Sequence, residues 1–380
     1  MRVGTCIFVQ NFADWDRFEA EERGEAAALR PETSDRSIFL EEVGLAQLAD
    51  ASGFDSLWTI EHHFTPYTMV TNPLQLLTYI AGVTDRVDLG SMVVVLPWHN
   101  PVRVAEDVNM LDALLGPDRD ILCGVGRGLG RREYQGLSID QNEARGRFDE
   151  GIQILHQLMR TGRCTFDGEY WNLSDVRLRP QPDRDLSQQL FCAGGTAETV
   201  QIIAKHDVKP LSIPTTSLDL ALSGAQTYAN LRQQAGHGPA HTKLALWTYC
   251  TESRSEAERG LEYVKRYSDS ALRHYELLGT HLKDIKGYET YAATAEVLRA
   301  NPDAFAQGFL QDHPIGTPDE IIKQTRLLAE SFGTSEIMFI FKYGGIPLEQ
   351  AEKSMQIFAK EVIPALRELD PDPIQPDQGS

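Results

Sequence analysis

Short runs of apolar, largely β-branched residues alternate with longer amphipathic stretches along most of the chain. Eight of these runs read as strands: Arg2–Val9, Ser56–Ile60, Val87–Leu96, Asp120–Val125, Gln189–Ala193, Lys209–Ile213, Leu244–Thr251 and Glu336–Phe341. Most are continuously apolar rather than strictly alternating, the pattern of parallel strands covered on both faces. Helical periodicity fills the intervals, over Ile38–Ser52, Pro73–Val83, Val102–Leu115, Asn142–Thr161, Ala197–Lys205, Leu218–Ala235 and Glu256–Tyr275. Two further helices follow at Asp319–Phe332 and Leu348–Leu369. End signals support these bounds: Thr317-Pro318-Asp319-Glu320 is a cap, a first-turn proline and acidic residues, and Gly53 and Gly116 stop two helices.

Eight strand–helix alternations fit a closed barrel or an open doubly wound sheet, and the number eight favours closure. No linker or internal repeat divides the chain. The expectation is therefore one α/β domain, a (β/α)8 TIM barrel over residues 1–369, with a disordered tail at 370–380. Three excursions interrupt it: Asn11–Ser37, Gly162–Gln188 and Leu278–Pro314. Each follows or nearly follows a strand end in this reading, so all three are expected to act as lids over a site.

Charge narrows the partners. Against 55 Asp and Glu the chain has only 36 Lys and Arg, a net charge of −19. Nucleic acid and anionic membrane surfaces are disfavoured. No apolar run reaches membrane-spanning length and no secretory signal is visible, so the expected address is the cytoplasm. The five cysteines are scattered and never spaced as CxxC, which favours buried free thiols.

Candidate chemistry sits where strands end. Glu61-His62-His63 follows the second strand, the position at which barrel enzymes place catalytic groups. The alternative is a barrel-capping histidine beside a solvent-facing one. A metal is not expected, because no second His/Asp/Glu cluster of matching spacing is evident. After the fourth strand, Gly124-Val125-Gly126-Arg127-Gly128-Leu129-Gly130 fails the dinucleotide fingerprint and reads better as a tight turn for one phosphate. Arg127, Arg131, Arg132, Arg145 and Arg147 concentrate positive charge here, unless surface ion pairs consume it. After the fifth strand, Gly194-Gly195-Thr196 opens a helix and offers amides and hydroxyls to an anion. Trp98-His99-Asn100 ends the third strand, either touching a ligand or forming a rigid turn. Phe8, Asn11, Trp58, Trp98 and Trp247 are expected to shape the pocket. The wide apolar stripe of Val102–Leu115 covers the barrel or meets a second subunit.

These segments resemble the bacterial luciferase-like flavin-dependent monooxygenase family. The likeness is carried by Gly53–Thr65, Pro101–Asp112, Gly126-Arg127-Gly128-Leu129, Ala193–Thr199, Ile315–Glu320 and the last helix, in order across most of the chain. It implies a TIM barrel, a homodimer through the second and third helices, and reduced FMN (FMNH2) used with O2 through a C4a-peroxyflavin. It further implies His62 in the proton-handling role. Arg127 and Arg145 would bind phosphate with Gly194, Gly195, Thr196 and Thr199; Met92-Val93 would form a cis peptide beneath the ring. Asn100 is expected at the ring or substrate. A separate NAD(P)H:flavin reductase is implied by the missing nicotinamide fingerprint. Where the family has a cysteine before the arginine this chain has Gly126, and its late excursion differs, which detaches the expectation from long-chain aldehydes and light. Two alternatives stay open: a deazaflavin-dependent dehydrogenase on the same barrel, and a non-catalytic flavin-binding partner subunit.

Overall fold

The computed structural model describes residues 1–26, 28–194, 196–213, 218–301 and 313–377. Its centre is a closed barrel of eight parallel strands: β1 (Arg2–Ile7), β2 (Ser56–Thr59), β3 (Asp88–Val95), β4 (Ile121–Gly126), β5 (Leu190–Ala193), β6 (Lys209–Ser212), β7 (Thr242–Trp247) and β8 (Thr334–Ile340). Consecutive strands are neighbours, and β8 returns to β1 with Arg2 opposite Glu336 and Cys6 opposite Ile340. The expected barrel is therefore the observed one, with each predicted strand within a few residues of its place. The predicted run Leu244–Thr251 divides: β7 ends at Trp247, and Tyr249–Cys250 leaves the barrel to pair with Ile315–Gly316.

Local chemistry sets the helix ends. Asp35–Ser52 begins at Ser34, whose hydroxyl accepts the Ser37 amide, and ends at Gly53 with φ 88°, a left-handed stop. At Pro318–Phe332 Thr317 and Glu320 form a reciprocal capping box. The last helix is not continuous as expected: a wide π turn over Phe358–Val362 separates Leu348–Ile357 from Ile363–Arg367. Pro364 brings no amide hydrogen to that turn, so the regular bonding cannot run through it. Sequence periodicity also missed the short helices Trp15–Glu22, Arg131–Gly136 and Glu289–Ala300.

The amino-terminal floor of the barrel is a buried ionic knot. Glu336 of β8 is fully buried and is bound by Lys243 of β7 and the Ser56 hydroxyl of β2. Trp58 donates Nε1–H to Ser56 at 2.7 Å. The Lys243 ammonium lies over the Phe191 ring at 4.6 Å. Trp58 thus belongs to the floor and not to a ligand pocket, which corrects its expected place. Asn11 is likewise spoken for, donating to the Thr33 carbonyl and the Asp35 carboxylate, both at 2.8 Å.

The second excursion is also corrected. It forms the antiparallel hairpin Arg163–Asp167 with Asn172–Arg177. It follows the helix Ala144–Thr161 rather than a strand, so the chain has already returned to the amino-terminal end of the barrel. None of its residues lines the cavity described below. All five cysteines are free and buried. Among the described residues no helix is long and apolar enough to cross a membrane.

Candidate active site

A cavity of about 400 Å³ opens at the carboxyl-terminal end of the barrel, the size of a small-molecule site. Its walls come from successive strands: His62 beyond β2, Met92 and Val93 in β3, Gly126 and Arg127 from β4, Gly194, Thr196 and Thr199 after β5. Phe8, Tyr67, Trp98, Trp247 and Tyr275 make much of the remainder aromatic. The Met92–Val93 peptide is cis, as expected, and the β3–β4 register shifts there, between Ser91 and Val94.

One pole of the cavity is cationic. Arg145 donates to the Thr199 hydroxyl and to the Thr196 hydroxyl, each at 3.1 Å. Those hydroxyls lie 2.9 Å apart, and Thr196 caps the helix Ala197–Lys205, directing amide N–H groups toward the same point. Arg127 is buried, and its Nη1 has no hydrogen-bond partner among the described residues. Its guanidinium stacks on Tyr288 at 4.3 Å, whose hydroxyl donates to the Gly128 carbonyl at 2.8 Å. Gly287 packs beside both arginines: a methyl group there would stand 3.0 Å from Arg127 Nη1 and 3.9 Å from Arg145 Cβ.

The other clustered arginines do not join them. Arg131 is bidentate to Glu276 at 2.9 and 2.7 Å, Arg132 pairs with Glu22 and Glu276, and Arg147 with Glu143 at 2.8 Å. The surface ion-pair reading is right for these three; Arg145 also has the Asp149 and Glu198 carboxylates at 3.6 Å, but it bonds the wall residues Thr196 and Thr199, and Arg127 lines the cavity itself. Asn100 is corrected too: its Oδ1 accepts the Val102 amide at 2.9 Å as the cap of Pro101–Leu115, and it does not line the cavity. Gly195 lies outside the described residues. Gly126 has a steric reason, since a Cβ there would come within 2.7 Å of Val93 Cγ2, beside the cis peptide.

The opposite pole holds imidazoles. His62 Nδ1 is 3.0 Å from Glu133 Oε1 and 3.0 Å from His274 Nε2, while its Nε2 faces the Tyr275 hydroxyl at 3.1 Å. Glu133 comes from the short helix after the β4 glycines, and His274 and Tyr275 from the end of Arg254–His274. Burial opposes the charge on Glu133, yet the imidazoles of His62 and His274 hold its carboxyl well below the usual range. Burial pushes His274 down to about 4, so it is neutral at neutral pH. A second carboxylate, Glu61, accepts the Val95 amide at 2.7 Å and lies 2.6 Å from His99 Nε2 and 3.3 Å from His63 Nε2. Burial alone would raise its pKa; hydrogen bonds from His63 and His99 outweigh that and hold it low. Glu61 and His63 are therefore tied up in the wall, and His62 is the member of the triplet with a ring nitrogen beside a cavity-lining phenol.

The sequence pointed to His62 but not to Glu133, His274 or Tyr275. Glu133 sits within the arginine-rich stretch and looks like a surface partner for it; only folding shows it to be fully buried.

The luciferase-like monooxygenase family model matches residues 25–335. The alkanal monooxygenase alpha chain of Photorhabdus luminescens is 24% identical over 345 residues, covering 89% of this chain and 94% of that one. The oxygenase component of a flavin-dependent trigonelline monooxygenase from Acinetobacter baylyi is 24% identical, covering 88% and 91%. Among solved structures, the oxygenating constituent of 3,6-diketocamphane monooxygenase from Pseudomonas putida, in complex with FMN, superposes with a TM-score of 0.70 at 19% identity, covering 98% of this chain and 100% of that one. With a closed parallel barrel, a cavity at its carboxyl-terminal end and a family match over most of its length, the chain belongs to the luciferase-like monooxygenases, oxidoreductases that incorporate oxygen.

Proposed function

We propose that the chain binds reduced FMN in this cavity and uses it with dioxygen to oxygenate a small organic substrate. What supports this reading is the polarity of one continuous cavity, with Arg127 and a capped helix start backed by Arg145 at one pole and His62 at the other. β2 and β5 are three strand spacings apart, roughly 14 Å, which leaves room for a ring and a phosphate-bearing chain between the poles. The buried Arg127 Nη1 is an unspent donor at the phosphate end.

Bound reduced flavin supplies the electrons that activate dioxygen. Arg127, Arg145, Thr196 and Thr199 would hold the phosphate through charge-assisted bonds and amides. Met92 and Val93, on the cavity wall, would bear against the bound flavin. His62 holds or passes a proton at Nε2, with the Tyr275 hydroxyl as its relay partner. Phe8, Tyr67 and Trp247 keep water from the reacting end. Because one relative is an oxygenase component, we assign delivery of reduced flavin to a separate NAD(P)H:flavin reductase. Tyr79 on Pro73–Ala81 and Met110 and Leu114 on Pro101–Leu115 are exposed, and we assign a homodimer contact to these two helices.

Calorimetry with oxidised and reduced FMN tests the proposal. One-to-one binding is expected; a flat titration of the folded protein with both forms sinks it. Binding of a 5-deazaflavin without FMN would move the chain to hydride transfer. In a reductase-coupled assay His62→Ala should lose about 10²–10⁴ in turnover with FMN affinity within a few-fold. Unchanged turnover would remove His62 from the chemistry.

A further inference from the structure

We propose that His62, Glu133 and His274 form a binding site for one divalent first-row transition metal ion, zinc in the first instance. The reading does not depend on flavin. It starts from three atoms that converge: His62 Nδ1, Glu133 Oε1 and His274 Nε2 stand 3.0, 3.0 and 3.5 Å apart. A zinc ion with bonds of about 2.0–2.1 Å separates its ligand atoms by about 3.0 Å at right angles and about 3.4 Å at tetrahedral angles. The observed triangle spans that range. Glu133 and His274 are fully buried and the His62 side chain is 13% exposed, so bulk water does not satisfy the convergence.

Protons satisfy it poorly. Two N–H groups aimed at one carboxylate oxygen would bring their hydrogens together across the 3.0 Å between the nitrogens. A single proton on His62 Nδ1 serves Glu133 and leaves the His274 lone pair without a donor of its own. A cation above the triangle accepts all three lone pairs at once. Two neutral imidazoles and a carboxylate are a common donor set for zinc and its neighbours.

The surroundings match those of a metal site. The far nitrogen of each imidazole has a partner that orients the ring: Tyr275 hydroxyl at 3.1 Å for His62, Thr65 hydroxyl at 2.7 Å for His274. Glu133 Oε1 also accepts the His63 amide at 2.9 Å, which fixes the carboxylate. His274 is stacked on Tyr67, with ring centroids 4.6 Å apart and planes at 15°. Its sequence separations explain why spacing rules miss it: Glu133 is 71 residues from His62, and His274 is 212.

The test uses the untagged full-length protein. After chelator treatment and dialysis, zinc is titrated in competition with a chromophoric chelator, and cobalt is added to a parallel sample to read its visible ligand-field bands. One equivalent of zinc and nitrogen-ligated cobalt bands are expected. Glu133→Gln and His274→Gln should each weaken zinc by at least about 100-fold, beyond the roughly tenfold loss expected of Thr65→Ala, which removes only a ring partner. Far-UV circular dichroism and FMN calorimetry on the same samples separate loss of metal from loss of fold or flavin site. Failure of the wild-type protein to take up zinc or develop cobalt bands overturns the proposal, even if the variants do not fold. So does wild-type affinity retained in both folded variants.

Discussion

The two ends of the barrel treat buried charge in opposite ways. At the floor, Glu336, Lys243 and Ser56 satisfy one another, and Arg2 adds a guanidinium 3.7 Å from the same carboxylate. At the cavity end, Arg127 Nη1 and Glu133 Oε2 are buried without a hydrogen-bond partner among the described residues. Burying an unmatched polar atom costs about 1–3 kcal/mol. The floor closes its account internally; the mouth leaves donors and acceptors for something else. The contrast agrees with the division in which one barrel end carries stability and the other chemistry.

That contrast can be broken from the floor first. Glu336→Ala strands Lys243 inside the barrel and should lower stability by about 3–5 kcal/mol, read by denaturant unfolding. FMN affinity of the fraction still folded should hardly change. A variant that unfolds normally but loses flavin would show that the ends are not separate.

The next largest effect concerns acid. His313 packs on Trp247 behind the cavity wall, and burial pushes its pKa down to about 3. A histidine depressed in the folded state supports stability fully above its unfolded pKa near 6.5 and loses that support as pH falls toward 3. Urea midpoints should therefore drop between pH 6.5 and pH 4 by an amount worth a few kcal/mol, and His313→Phe should flatten the slope. An equal slope in the variant would place the titration elsewhere.

Arg127→Ala should do the reverse of the floor variant. It should weaken FMN by about 10–100-fold, the worth of a charge-assisted phosphate contact, with thermal stability nearly unchanged. Arg147→Ala makes the smallest change. Its partner Glu143 is one turn away on an accessible surface, so stability should shift by less than about 0.5 kcal/mol and FMN affinity not at all. If Arg147→Ala matched Arg127→Ala, the division of the five arginines would be wrong.

The barrel and the cationic pole were legible because their signals are local. An apolar run declares a parallel strand, and Gly-x-Thr before amphipathic periodicity declares a helix start with free amides. The second excursion misled because its length says nothing about which barrel end it occupies; the preceding helix decides that. Asn100 misled because a cap and a ligand contact use the same amide oxygen. Glu133, His274 and Tyr275 were illegible for a stronger reason: nothing near them in sequence distinguishes them from surface residues, and the closing of the barrel alone brings them to His62.

The buried thiols have a bearing on life in air. Protein chemistry with reduced flavin sheds hydrogen peroxide whenever water intrudes, and peroxide attacks thiolates. Burial holds Cys123, Cys192 and Cys250 up at about 12, and raises Cys6 and Cys164 as well. These thiols therefore stay protonated at neutral pH. If the chain uses reduced flavin as proposed, an oxidant leaving the cavity would meet only buried, protonated sulfur.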